Sequence, residues 1–114
     1  MSHTKGRSEL SAAEQVRLGE LAGYQDGAVV SRPLINRKAA TITLFAFDEG
    51  QGLSEHTAPY DAIAHVLDGD VEITIAGEPL TLRGGEMVLM PANQPHALKA
   101  ISRFKMVLTM IRST

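Results

Sequence analysis

Side chains able to do chemistry gather in one short stretch, "LSEHTAPYDAIAHVLDGD", running from Leu53 to Asp70. It holds His56, Tyr60, Asp61 and His65; His96 follows further on and His3 lies near the start. A neutral imidazole is a common metal ligand and a general base, and a nearby carboxylate can serve either task. With no cysteine in the chain, thiolate nucleophiles, disulfides and Cys-based zinc or iron–sulfur sites are excluded, so nitrogen and oxygen would have to hold any metal. A serine nucleophile is not framed either: Ser54 has no glycine elbow around it and reads as a loop hydroxyl. Plainer readings compete at each position. Histidines also pack in β-rich cores, Asp61 beside Pro59 suits a turn, and His3 suits a solvated terminus. Met87, Met90, Met106 and Met110 read as core filler rather than as soft ligands.

The elements that must position these residues are mostly strands. Thr41–Phe47 is β-branched and aromatic, and Val71–Ile75 alternates apolar and polar, the pattern of a strand with one buried face. Ala62–Leu67, Leu80–Arg83, Glu86–Met90 and Phe104–Ile111 complete a series of short strands at roughly ten-residue spacing, which argues for an all-β sandwich or barrel. Asp68-Gly69 suits a tight hairpin turn between the strands on either side of it. Ahead of the strands, Ser11-Ala-Ala-Glu14 reads as a capping box, predicting a short helix over residues 12–22 with Val16 and Leu21 toward the body and Gly23 ending it. Residues 1–10 are polar and read as a flexible N-terminus, leaving residues 11–114 as a single domain.

Composition narrows the partners. Net charge is −2 across 114 residues with lysines and arginines scattered, which gives no nucleic-acid footprint. No apolar run approaches the ~18 residues of a membrane span, and the acidic first thirty residues do not read as a signal peptide. A cysteine-free chain suits the reducing cytoplasm.

Two spaced motifs carry a family resemblance. Gly50–Gly69 resembles the first cupin motif, a glycine followed by a His-x-His pair, a Glu and a turn glycine. Gly85-Glu-Met-Val-Leu-Met-Pro91-Ala-Asn93-Gln-Pro-His96 resembles the second, with Asn93 where glycine is usual. Asn tolerates left-handed backbone geometry better than most residues, so the exchange is mild. The resemblance spans about residues 41–111 and implies an all-β cupin double-stranded β-helix, a jelly-roll barrel of the RmlC-like superfamily.

In metal-bearing cupins the ligands are usually two His and a Glu from motif one and a His from motif two. His56 and His96 match the first and last of these, while Ala58 and Ala62 stand at the other two positions. The resemblance therefore implies a divalent metal (Zn, Ni or Fe) on His56 and His96 with an incomplete shell, beside Tyr60 and Asp61 as substrate contacts. Since side chains alternate along a strand, His65 should point away from the interior that position 62 faces. Ala58, Ala62 and Ala64 remove bulk from that interior, so an open apolar pocket is expected. Two functions stay open: a metal-dependent enzyme acting on a small oxygenated molecule, or a non-catalytic module that binds or senses one. The resemblance also implies a homodimer, through a sheet face or an exchanged N-terminal strand, here Ala28–Ile35, with Val29, Leu34 and Ile35 as the apolar contact.

Overall fold

The computed structural model describes residues 9–112; His3 lies outside them. Nine strands stand among the described residues: β1 (Val29–Asn36), β2 (Ala40–Phe47), β3 (Gly52–His56), β4 (Asp61–Asp68), β5 (Asp70–Ile75), β6 (Glu78–Arg83), β7 (Met87–Met90), β8 (His96–Ala100) and β9 (Phe104–Ile111). They form two antiparallel sheets, one ordered β1-β2-β9-β4-β7 and the other β3-β8-β5-β6. This is the jelly-roll barrel that the strand pattern and the two motifs imply.

The alternation in β4 shows how sequence becomes packing. Ala62, Ala64 and Val66 are buried, whereas Ile63, His65 and Leu67 between them are half-buried on the other face. The inward set joins Phe47, Val71, Ile73, Leu82, Met90, Leu98, Phe104 and Met106 in one core. Phe47 and Phe104 are cross-strand partners whose rings stack with centroids 4.6 Å apart. Met90 and Met110 stand across from Ala62, and Val88 and Leu108 across from Ala64, while Phe47 and Phe104 pack toward the Asp68 end of the barrel. The expected open pocket is corrected on this point: the described residues enclose no ligand-sized pocket. Met90 and Met106 serve as core filler, but Met87 points outward and is 58% exposed.

Two local expectations also change. The residue 12–22 helix is reduced to a single 3-10 turn at Leu18–Glu20. Ser11 and Glu14 do meet, but as a backbone turn in which the Glu14 amide donates to the Ser11 carbonyl, and Ala13 takes a positive φ of 64° that no helix accepts. An 11-residue helix cannot meet its nucleation cost without a face to dock. The segment gains more by lying along the larger sheet, where Leu21, Ala22 and Tyr24 cover Leu34, Leu44 and Ala46. Tyr24 fastens it, donating to Asp68 at 2.8 Å beneath the cations of Arg103 and Lys105. Arg103 also pairs with Asp26 and Asp48. That guanidinium, helped by the amides of Gly27 and Glu49, holds the Asp48 carboxyl down at about 2.

Asp68-Gly69, for its part, is not a hairpin. β4 bonds to β7 and β9, whereas β5 bonds to β6 and β8, so the chain turns a corner there from one sheet into the other. Gly69 is required by space as well as by its φ of 80°, since a Cβ would collide with the Arg103 carbonyl. The tight hairpin lies instead at Ala76-Gly77, both at positive φ, with Ile75 opposite Glu78. That geometry matches the right-handed twist of the strands it joins.

Candidate functional site

His56 ends β3 and His96 begins β8, and the antiparallel register sets them directly opposite each other. A register shift between Leu53 and His56 delivers this pairing; such bulges re-aim a side chain without ending a strand. The two imidazoles meet edge to face with centroids 4.4 Å apart. His96 is 7% exposed while His56 faces solvent, so the pair sits at the barrel mouth with one ring sunk and one open.

Each ring is oriented by the backbone two residues before it. Nδ1 of His56 lies 2.9 Å from the Ser54 carbonyl oxygen, and Nδ1 of His96 lies 3.2 Å from that of Gln94. A carbonyl only accepts, so each Nδ1 carries the hydrogen, and each neutral ring keeps its lone pair on Nε2. Burial lowers the His96 pKa from its usual 6.5, the Gln94 carbonyl opposes that shift, and the neighbouring His56 adds to it. His96 is therefore neutral at pH 7. Between its folded value and 6.5 the unfolded chain binds more protons, so this group's contribution to stability is present above 6.5 and lost as pH falls through the folded value.

The loop carrying motif two is stitched to the loop carrying motif one. Asn93 takes a φ of 66°, the left-handed geometry that its position in the motif demands, and its amide donates to the Ala58 carbonyl at 2.8 Å. The Ala92 amide donates to Oδ1 of Asp61 at 2.8 Å. Tyr60 lies under the Arg112 guanidinium, 5.8 Å from ring centroid to cation. Sequence reading missed the Ser54 and Gln94 carbonyls, which fix both tautomers; the shared position two residues before each histidine was the available signal. His65 lies on the face opposite Ala62 and Ala64, between Met87 and Val107, and the β4 register runs without a shift from Asp61 to Val66.

With this geometry in hand, comparison with known proteins is informative. The family model for the cupin domain matches residues 43–112. The chain belongs to the cupin domain family. Solved structures agree: a conserved protein of unknown function from Streptococcus pyogenes is 33% identical, with 92% of each chain covered and a TM-score of 0.86. A cupin 2 conserved barrel domain protein from Leptotrichia buccalis is 37% identical over 82% of this chain and 46% of its own, with a TM-score of 0.80. A cupin superfamily protein from Desulfitobacterium hafniense is 26% identical, covering 90% of this chain and 94% of its own, with a TM-score of 0.84. No protein of curated function matches. No helix among the described residues is long and apolar enough to cross a membrane.

Does this cupin's site fit the metal that its family implies? Catalytic zinc sites take three protein ligands plus water, and structural ones take four. Here two Nε2 atoms are in place, Ala58 and Ala62 supply methyl groups, and no cluster of three His, Cys, Asp or Glu side chains suited to a metal exists among the described residues. One oxygen of Asp61, the carboxylate considered from the sequence, is engaged by the Ala92 amide. The donor set does not fit a tightly held metal.

Proposed function

We propose that this cupin is a non-catalytic module that binds a small hydroxyl-bearing molecule at the His56–His96 pair. One observation carries the reading: two imidazoles meet with centroids 4.4 Å apart, and both give Nδ1–H to backbone carbonyls, leaving each Nε2 as an acceptor. Such a pair suits neighbouring hydroxyl donors on one ligand. Tyr60 and Asp61 complete the ligand contacts we assign, Asp61 through the oxygen not bonded to Ala92. The metal-dependent enzyme reading, with Zn, Ni or Fe, asks for donors at positions 58 and 62 that this chain does not have.

The pH dependence separates ligand chemistries. Neutral His96 accepts from a hydroxyl; once protonated it cannot, and it attracts a carboxylate instead. Imidazole resonances should be followed by NMR during titration with small neutral polyols and with small hydroxy acids, once at about pH 7.5 and once at a pH low enough that the His96 resonances themselves report its protonation. Shifts at both rings with a polyol at the higher pH, weakened at the lower and absent in His96→Ala, are the expected outcome. Binding only of the acids, strengthening as pH falls, would instead make the site an anion receptor and overturn the hydroxyl reading.

A further inference from the structure

The strand register puts two more side chains at the barrel end that carries the histidines. Ala62 stands opposite Met110 and Asp61 opposite Ile111, so the next rung, one step past the paired ends, sets Tyr60 against Arg112. Alternation then decides which way they face. Ala62, Ala64 and Val66 on β4 join Phe104 and Met106 on β9 in the core, and Tyr60 and Arg112 continue those two inward rows. At the rim there is no core left to enter. Tyr60 is half-buried, Arg112 is exposed, and the cation stands 5.8 Å from the ring centroid.

The smaller sheet supplies the opposite wall of the same mouth. His96 opens β8 on the row that buries Leu98 and Ala100, with His56 beside it on β3. Two loops join the walls, from His56 to Asp61 and from Met90 to His96, and the Asn93 amide ties one to the other at the Ala58 carbonyl. Packed sheets stand about 10 Å apart, which sets the scale of the gap between guanidinium and imidazoles.

Arg112 is held there without being neutralised. Its amide donates to the Ala39 carbonyl at 2.7 Å, and its Nη1 reaches the Arg37 carbonyl only at 3.5 Å. Arg37 and Arg103 have carboxylate partners, whereas Arg112 makes no ion pair among the described residues. An aromatic face fixes the plane of a guanidinium and leaves its N–H edge open. That edge matches the two oxygens of a carboxylate, with one charge on each side. A phosphate monoester carries nearly two charges and calls for a second cation.

We infer that the ligand of the His56–His96 pair is a short-chain hydroxy acid: Arg112, steadied on Tyr60, takes its carboxylate, and the two imidazoles across the mouth accept from its hydroxyls. The inference rests on the hydroxyl reading and adds the charged end of the ligand to it. Arg112 becomes the residue that separates an acid from a neutral polyol. The chain's net charge is −2, so its overall field gives an acid no advantage, and any preference must come from a local cation.

Matched pairs test this at about pH 7.5, above the ordinary carboxylate and histidine values. They are glycerol with glycerate, erythritol with erythronate, and sorbitol with gluconate, each titrated into the full chain by calorimetry and NMR. In at least one pair the acid should bind ~10-fold more tightly than its polyol, shifting both imidazoles and the Arg112 Nε–H resonance, while polyols shift the imidazoles alone. Arg112→Gln should erase the preference. Arg83→Gln, which removes the same charge at the far barrel end opposite Asp70, should keep it. Polyols that bind with acids no tighter would overturn the inference and leave the hydroxyl reading standing. So would a preference that survives in folded Arg112→Gln, or an acid that leaves the Arg112 resonance unmoved, a readout that needs no variant. Silence of both imidazoles toward every probe would overturn the hydroxyl reading, and the inference with it.

Discussion

Replacing Ala58 with His and Ala62 with Glu should turn the mouth of this cupin into a metal centre, raising its zinc or nickel affinity at least ~100-fold. Removing even an outer-shell partner of a metal ligand costs roughly 10–100-fold in affinity, so adding two direct donors should gain more than that. The framework for them is fixed. Ala58 is held by the Asn93 amide at its carbonyl, and Ala62 is buried on the inward face of β4 opposite Met90. A carboxylate introduced at position 62 without a metal is a buried, poorly paired charge, so the metal-free double variant should be less stable than the parent. Bound metal should restore that stability, and the melting temperature should rise with metal concentration as ligand linkage requires. Calorimetric titration and thermal melts of both proteins provide the check. A folded double variant that binds metal no better than the parent would mean that position 58 or 62 does not reach the histidines.

The second large effect is on stability: Phe104→Ala should cost about 3–5 kcal/mol, the usual range for deleting a fully buried aromatic ring. Phe104 is wholly buried and stacks on Phe47, so the loss includes the ring pair as well as the transferred area. By register the pair lies at the Asp68 end of β4, away from Ala62, which stands across from Met90 and Met110. Deleting the ring should leave a dry apolar hollow in the barrel, detectable by binding of benzene or xenon. Urea unfolding measures the cost. A loss under about 1 kcal/mol would mean that the surrounding side chains collapse into the space the ring vacates.

Much of the barrel was legible because alternation and turn chemistry are local properties. The β4 pattern placed Ala62, Ala64 and Val66 inward and His65 outward without any knowledge of the partner strands. The spacing of motif two located His96, and the tolerance of asparagine for positive φ anticipated the turn at Asn93. What depended on distant neighbours was not legible. Asp68-Gly69 announces a turn that needs positive φ, but a hairpin and a corner between sheets make the same local demand, and only pairing across the fold separates them. Small residues at 58, 62 and 64 suggested a hollow, but the side chains that stand across from them, Met90 and Met110 at Ala62 and Val88 and Leu108 at Ala64, are set by strand pairing rather than by local sequence. The capping pattern at Ser11 described a helix start, while the outer sheet face waiting for Leu21 and Ala22 made an extended path the better one. Met87 read as core for a related reason, since periodicity marks a face of β7 as apolar without saying whether that face is covered.

At the centre stands the claim that His56 and His96 form a binding pair that holds no metal tightly. The measurement that tests it most directly is the metal content of the full-length chain, purified without a nickel column and dialysed, read by elemental mass spectrometry with melting curves before and after chelation. Well under one ion per chain, with an unchanged melting temperature after chelator treatment, is the expected result. A full equivalent of zinc, nickel or iron that survives dialysis, is lost in both His56→Ala and His96→Ala, and lowers the melting temperature when stripped would contradict it.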